Sequence, residues 1–366
     1  MRQWPPNCQT EQAGLRKNNA QRCLLLDRTA AISDDLQPSG LRRRHPGRCP
    51  LRPDAHPEFS MIIHSQKPSL AALLFAYKGT IISLIWPRVL FTVLLSSLVV
   101  LTHGTLYDYK LVLTSTPFTL WGLTLAIFLG FRNTVAYQRF WEARTLWGEV
   151  LVVARNLTRQ TLTLLPDLPA LQQQRLAYRV AAFAYVMRDH QRGLVLGEEA
   201  AALLPAAELK ALQACDNPPN LLLLHIGQAF VAAFRQQGVD SILLAGVEQQ
   251  VNRLSYVHGG CERIKSTPIP YPYILMLHRF VHIYCFLLPF CLVDSIGWLT
   301  PFVVCVLAYT FFGLDALGDQ ISDPFDTQPN DLALDAMSRN IEINVRMLLG
   351  EQELPQGIEA RDGVLL

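Results

Sequence analysis

Charge is what this sequence has least of. Asp, Glu, Lys and Arg together make 17% of its 366 residues, against roughly a quarter in soluble domains. The net charge of +2 is too small to hold nucleic acid, and there is no zinc-finger spacing, stacked-aromatic basic patch or RNA-binding signature. A phosphate-cradling P-loop, a GxSxG elbow and a GxGxxG turn are also missing, so the chain is not expected to be an enzyme or to require a cofactor. None of the eight cysteines pairs as CxxC. His258 with Cys261 and His282 with Cys285 have HxxC spacing, but neither has a second ligand pair beside it. Three cysteines lie inside apolar runs, where a thiol behaves as a small hydrophobe. Unpaired cysteines of this kind imply a reducing compartment for the soluble part.

Apolar residues are plentiful, at 50%, and they collect in runs. Residues 1–60 stand apart from them. That stretch contains LRRRHPGRCPLRPDAHP and has no sustained period, a composition that cannot bury a core. It lacks the apolar core of a secretory signal, and Asp34, Asp35 and the prolines argue against an amphipathic transit helix. Met61 opens MIIHSQKPSL, where ordered sequence begins. Residues 1–60 are therefore expected to be a disordered or spurious extension with Met61 as the true start, the other reading being a dispensable cytosolic tail. The working domain is expected over 61–350, with 351–366 as a C-terminal tail.

A spanning helix needs about 20 mostly apolar residues, and four stretches qualify: 81–101, 111–131, 274–293 and 298–317. Pro87 and Arg88 sit near the start of the first, where an arginine can snorkel to the interface. Short links, THGTLYDYK and DSIG, make two hairpins of the four. The long middle region holds most of the remaining arginines, and Arg132, Arg139 and Arg144 lie just beyond the second span. By the positive-inside rule the middle region and both termini belong in the cytosol; Lys67 and Lys78 agree. The expected location is a membrane.

The cytosolic parts, 132–272 and 318–350, read as helical. Val135, Phe140, Leu146, Val150, Val153, Leu157 and Leu164 follow helix spacing, interrupted once at Thr161. That stripe predicts that the second spanning helix runs on into the cytosol to about Leu165. Further helices are expected over 171–190, 205–214, 219–237 and 239–258, punctuated by Pro166, Pro169, Pro205, Pro218 and Gly238. TPIPYPY, at Thr267–Tyr273, is expected to be a rigid non-helical lead-in to the third span. No strand pair or internal repeat is evident, so the fold class is all-α.

Three features carry functional weight. Leu123, Ile127 and Phe131 share a helix face at i, i+4, i+8; such a face lines a pore in an oligomer, where rings of bulky apolar side chains gate by dewetting, or it meets lipid or another helix. Gly122 and Gly130 permit close packing nearby. Asp315, Asp319 and Asp323 repeat the same spacing at the end of the fourth span, as a solvated helix end or as an acidic vestibule. In DPFDTQPNDLALDAM, Pro324 and Pro329 end the helix, and Asp323, Asp326, Asn330 and Asp331 supply oxygens in a loop, a candidate degenerate Ca²⁺ site without the EF-hand pattern. His278 and His282 are one turn apart in HRFVH, but Arg279 stands where a zincin has Glu, so packing or interfacial hydrogen bonds are the expected role.

FLGFRNTVAYQRFWEARTLWGEV (128–150), GGCERIKSTPIPYPY (259–273) and ISDPFDTQPNDLALDAMSRNIE (321–342) resemble the bestrophin family, in the family's order and across nearly everything after Met61. The resemblance, which extends to the family's bacterial members, implies a homopentamer in a bacterial inner membrane around one central pore, with a membrane neck and a cytosolic vestibule, passing small monovalent ions. Three apolar rings line the family's neck, and they fall on Leu123, Ile127 and Phe131; a cytosolic aperture falls on Ile242. Animal bestrophins are chloride channels opened by Ca²⁺, held after an N-P-F run by consecutive acids. Here Asp323-Pro324-Phe325 is followed by a broken run with Gln328 at one ligand position, while Asp331 resembles the other; Ca²⁺ gating is therefore not expected. Asp315, Asp319 and Asp323 leave room for cation selectivity. The partners expected are the lipid bilayer, further copies of the chain and the permeant ions. Two other readings are a secondary transporter, against which no inverted repeat is found, and a membrane-anchored sensor or scaffold without ion flux.

Overall fold

In lipid an isolated apolar run must pair its backbone groups within itself, which leaves it the helix. The computed structural model describes residues 80–102, 105–106, 109–110, 115–328 and 330–359, and these are helical almost throughout. Residues 1–60, Lys67, Lys78, Pro329 and the last seven residues lie outside the described set.

The first helix, α1 (Ile82–Leu101), contains Pro87. The Thr92 and Ser97 hydroxyls donate back to the carbonyls of Arg88 and Val93, at 2.8 and 2.9 Å, so they add no unpaired polar group to an apolar helix. A ribbon of two short strands follows, β1 (Thr105–Leu106) antiparallel to β2 (Tyr109–Lys110). It is the one departure from the all-helical expectation among the described residues, and a chain reversing this tightly brings its two arms within pairing distance. Then comes α2 (Ser115–Leu164), 50 residues and about 75 Å long at 1.5 Å per residue. The expected continuation of this helix to about Leu165 is borne out. Thr161 does not interrupt the stripe: it is buried, with its hydroxyl on the Leu157 carbonyl at 2.9 Å.

The helices that follow before the last apolar stretch are α3 (Ala170–Arg192), α4 (Glu198–Leu203), α5 (Ala206–Gln213), α6 (Pro218–Gln237) and α7 (Ser241–Ser266). The short α4 is not anticipated by the apolar period. Helix α7 starts later and runs eight residues further than expected. Asp240 caps it, accepting from the Ile242 N–H at 2.9 Å. The Gly259-Gly260 pair does not end it. At Gly260 the Leu146 side chain approaches so closely that an added Cβ would lie 2.9 Å from its Cδ1, so glycine there serves packing between α7 and α2.

Helix α8 (Tyr271–Ile296) begins inside TPIPYPY, contrary to expectation. Pro272 sits at the second helical position, where a missing N–H costs nothing, so only residues 267–270 form the lead-in. A 3₁₀ turn (Gly297–Leu299) joins α8 to α9 (Thr300–Ser322). Gly297 has φ +53° and ψ −122°, a conformation closed to other residues. Last comes α10 (Leu334–Leu348). The residues after it are tied back: Glu351 accepts from Tyr178, Gln174 and Arg346.

Among the described residues, three stretches are long and apolar enough to cross a membrane: Ile82–Leu101, Thr116–Leu164 and Tyr271–Ser322. The last contains both α8 and α9. Two cores result. One, around Ile85, Leu129, Val281, Cys285, Val304 and Ala308, joins α1, the first part of α2, α8 and α9. The other, around Trp147, Phe183, Phe230, Leu254 and Ile341, joins the second part of α2 to α3, α6, α7 and α10. Helix α2 is the spine of both.

Candidate functional site

Along its membrane half, α2 has one face against α8 and α9 and the other uncovered. Leu125, Leu129, Arg132 and Ala136 are buried, while Leu123, Ile127 and Phe131 are 59, 48 and 64% exposed. Val135, expected in the core stripe, instead continues the uncovered row at 46%. Exposed apolar patches of this kind mark contact with lipid, with another chain or with a pore. Of the two glycines, Gly122 packs: an added Cβ would lie 2.6 Å from the Tyr284 hydroxyl. Gly130 meets nothing within 4 Å. Ile242 stands on the first turn of α7, 76% exposed.

Directly behind Phe131 lies a buried knot of charge. Arg132 Nη1 donates to Asp315 Oδ1 at 2.7 Å, both side chains being fully buried, and Arg132 Nη2 pairs with Asp319. His278 bridges the same two acids, with Nδ1 2.6 Å from Asp315 and Nε2 3.4 Å from Asp319. Two cationic or potentially cationic groups thus face two carboxylates across α2, α8 and α9. Their packing is close: an added Cβ on Gly318 would sit 2.3 Å from Asn133 Oδ1. Two turns on, Arg139 donates to the Ser322 carbonyl at 3.2 Å, to Ile264 at 2.7 Å and to Thr267. It closes the carbonyl ends of α9 and α7, where a cation is favoured.

This geometry alters the acidic-vestibule expectation. Asp315, Asp319 and Asp323 do not form one water-facing row. Asp315 is fully buried, because helix spacing points it at Arg132 rather than outward. Asp319 is half-exposed and shares Arg132, and Asp323 pairs with Lys265 at 2.9 Å. His282 does not join His278; its Nδ1 reaches the His278 carbonyl at 2.7 Å and its ring stands edge-on to Phe312.

The loop after α9 is anchored by fully buried Phe325. Asp331 Oδ2 accepts from the Gln328 N–H at 2.7 Å, while its Oδ1 is buried without a partner. Asn330 donates to Gln320 and Asp326 accepts from the Thr327 N–H. The three carboxylates Asp323, Asp326 and Asp331 do not converge on a common point within metal-ligand reach. Desolvation, with Asp326 and Asp323 nearby and against the bond from Gln328, pushes the Asp331 carboxyl up to about 7.

Two residues of this arrangement are not recognisable as partners from spacing. Arg132 reads as a cytosolic surface charge, and His278 as an interfacial packing residue. Their signal is present in the pairing of HRFVH with an i, i+4 acid pair, but no spacing rule connects residues 183 positions apart.

Membrane-length apolar helices, an uncovered apolar row on the longest of them and a second helical core on its continuation define an integral membrane protein. The chain belongs to the bacterial and fungal bestrophin family, whose profile matches residues 61–347. It is 39% identical over 293 residues to a voltage-dependent anion channel-forming protein of Mesorhizobium japonicum, covering 80% of this chain and 93% of that one. It is 37% identical over 298 residues to the voltage-dependent anion channel-forming protein YneE of Escherichia coli K12, covering 81% and 97%. The crystal structure of a bacterial bestrophin homologue from Klebsiella pneumoniae superposes with a TM-score of 0.71 at 36% identity, over 74% of this chain and all of that one.

Proposed function

We propose that the chain is one subunit of a homopentameric anion channel of the bacterial inner membrane. Four helices, α1, the first half of α2, α8 and α9, cross the bilayer, and both termini lie in the cytosol. Leu123, Ile127 and Phe131 from each subunit form the neck of a central pore, and Ile242 forms a second constriction below it. The observation that carries this reading is the uncovered apolar row on α2. Closed rotational symmetry would bring five such rows together around one axis, and apolar rings of that kind gate by dewetting. The names of the relatives support anions. So does the pairing of Asp315 with Arg132 and of Asp323 with Lys265, which leaves Asp319, itself sharing Arg132, as the half-exposed acid of the three without a cation of its own. Opening without Ca²⁺ is supported by the non-convergent, Gln328-interrupted loop, and no cofactor or catalytic step enters the proposal.

The test is a reversal potential. Purified protein in a planar bilayer under a KCl gradient should reverse near the chloride equilibrium potential, with and without micromolar Ca²⁺. Reversal near the potassium potential would overturn the anion reading. No current from a well-assembled oligomer would overturn the channel reading in favour of a scaffold. Replacing Leu123, Ile127 and Phe131 together by Ala should widen and wet the neck and raise the current; an unchanged current would refute the neck assignment.

A further inference from the structure

In the soluble half one set of side chains plays no part in the conduction face. His190 lies near the end of α3, Asn217 caps α6, and His258 and Glu262 stand one turn apart on α7. Their polar atoms converge. His258 Nε2 is 3.2 Å from Glu262 Oε1 and 3.0 Å from Asn217 Oδ1. His190 Nε2 is 3.8 Å from the same Glu262 oxygen, and Asn217 Nδ2 donates to that oxygen at 2.8 Å. The two imidazole rings are tilted, with centroids 5.8 Å apart.

His258 is 4% exposed and its Nδ1 has no partner. A neutral imidazole carries one ring proton. If that proton is on Nε2 it must be shared between two oxygens. If it is on Nδ1, an Nε2 lone pair faces those oxygens directly. Nothing bonded to Nδ1 fixes the choice, so Nε2 is free to present a lone pair. The focus is rich in electrons and poor in protons, a setting that a cation would satisfy.

The donors also select the cation. Imidazole nitrogens exclude Ca²⁺ and Mg²⁺, which take oxygen. Two His and one carboxylate suit a first-row divalent ion. Ligands placed tetrahedrally 2.0–2.1 Å from an ion lie about 3.4 Å from one another; the separations here are 3.2 and 3.8 Å, with all three ligand atoms within 4.8 Å. The neighbouring thiol is not part of the set. Cys261 is fully buried, and its Sγ does not converge with the three ligand atoms. The ligand spacing on α7 is thus HxxxE, where the sequence had suggested HxxC. The side chains of His190 and Glu262 are 27 and 41% exposed, which gives an ion access from solution. The other candidate cluster among the described residues, His278 with Asp315 and Asp319, already holds the Arg132 guanidinium in the place of a cation.

We propose that His190, His258 and Glu262 form a binding site for a divalent transition-metal ion of the zinc class, with water completing the coordination and Asn217 orienting Glu262. The ion ties α3 to α7, the helix whose first turn carries Ile242. The missing partner on His258 Nδ1 sets the affinity below that of sites whose His is held from outside, since such partners are worth 10–100-fold.

The test is a titration of the full-length, chelator-treated protein in detergent with Co²⁺ alone, read by its visible absorption. One Co²⁺ per subunit is expected, displaced by Zn²⁺, with a rise in melting temperature. Glu262→Gln and His190→Asn, both at partly exposed positions, should each weaken binding by on the order of tenfold or more without changing the metal-free melting temperature. His278→Gln should leave binding intact. No Co²⁺ absorption in the wild type, binding unchanged in both Glu262→Gln and His190→Asn, or binding lost with His278→Gln would each overturn the proposal.

Discussion

The two halves of α2 carry the same apolar period and use it in opposite directions. In the first half Leu123, Ile127 and Phe131 face out of the subunit, around half or more of each being exposed. In the second half Val150, Val153, Ala154 and Leu157 are fully buried under α3, α7 and α10. Between them sit Arg132 and Arg139, one paired with buried acids and one holding helix ends. Periodicity therefore says which residues share a face, and the neighbouring elements decide what that face meets. In water an apolar row must be covered. In a membrane or a pore it need not be.

Four measurements break or sharpen this contrast, taken from the largest expected effect. Arg132→Met leaves buried Asp315 with the His278 ring but without its guanidinium, and should cost about 3–5 kcal/mol, seen as lost assembly or a large fall in melting temperature. Adding Asp315→Asn should restore part of that loss, because the stranded charge is then removed. Trp147→Ala, in the buried half, removes a fully buried ring whose Nε1 donates to Gln191 at 3.1 Å. It should cost about 3–5 kcal/mol in thermal unfolding of the soluble half; a change below about 1 kcal/mol, the ordinary cost of a point substitution, would show that this core is not the rigid part.

The third measurement concerns pH. The folded Asp331 carboxyl binds its proton more tightly than the unfolded one, whose value is about 3.9. Its contribution to stability is complete below that pH and is lost as pH rises through about 7. In chelator-containing buffer the melting temperature should therefore fall from about pH 4 towards neutrality more steeply in wild type than in Asp331→Asn. Parallel curves would remove Asp331 from the account. The smallest effect belongs to the uncovered row. Phe131→Ala should change subunit stability by no more than about 0.5 kcal/mol, although it is the same kind of truncation as at Trp147. A loss of several kcal/mol in detergent would mean that Phe131 is packed against a protein neighbour.

Much of the fold is legible in the residues alone. The apolar runs mark the membrane-length helices to within a few residues, apart from residues 111–114, which are not described. The stripe from Phe140 to Leu164 marks the long continuation of α2, and Gly193 and Gly238 end α3 and α6 in the left-handed conformation as glycines do. Less of the site is legible. Leu123, Ile127 and Phe131 share a face by spacing alone, whereas the destinations of Asp315 and His278 do not follow from spacing. An acid at a helix end reads the same whether it faces water or an arginine on another helix.

The sequence by itself determined that this is a helical chain with membrane-length apolar segments, a long second helix and the motifs of its family, because local apolar period, caps and breakers act over a few residues. Only the tertiary structure decided which charges are cancelled and which polar atoms converge. Arg132 meets Asp315 from 183 positions away, and His190 meets Glu262 across two helices. Such pairings depend on how helices cross. That is set by the packing of whole faces, down to the close approaches at Gly122, Gly260 and Gly318, and no short stretch of sequence contains it.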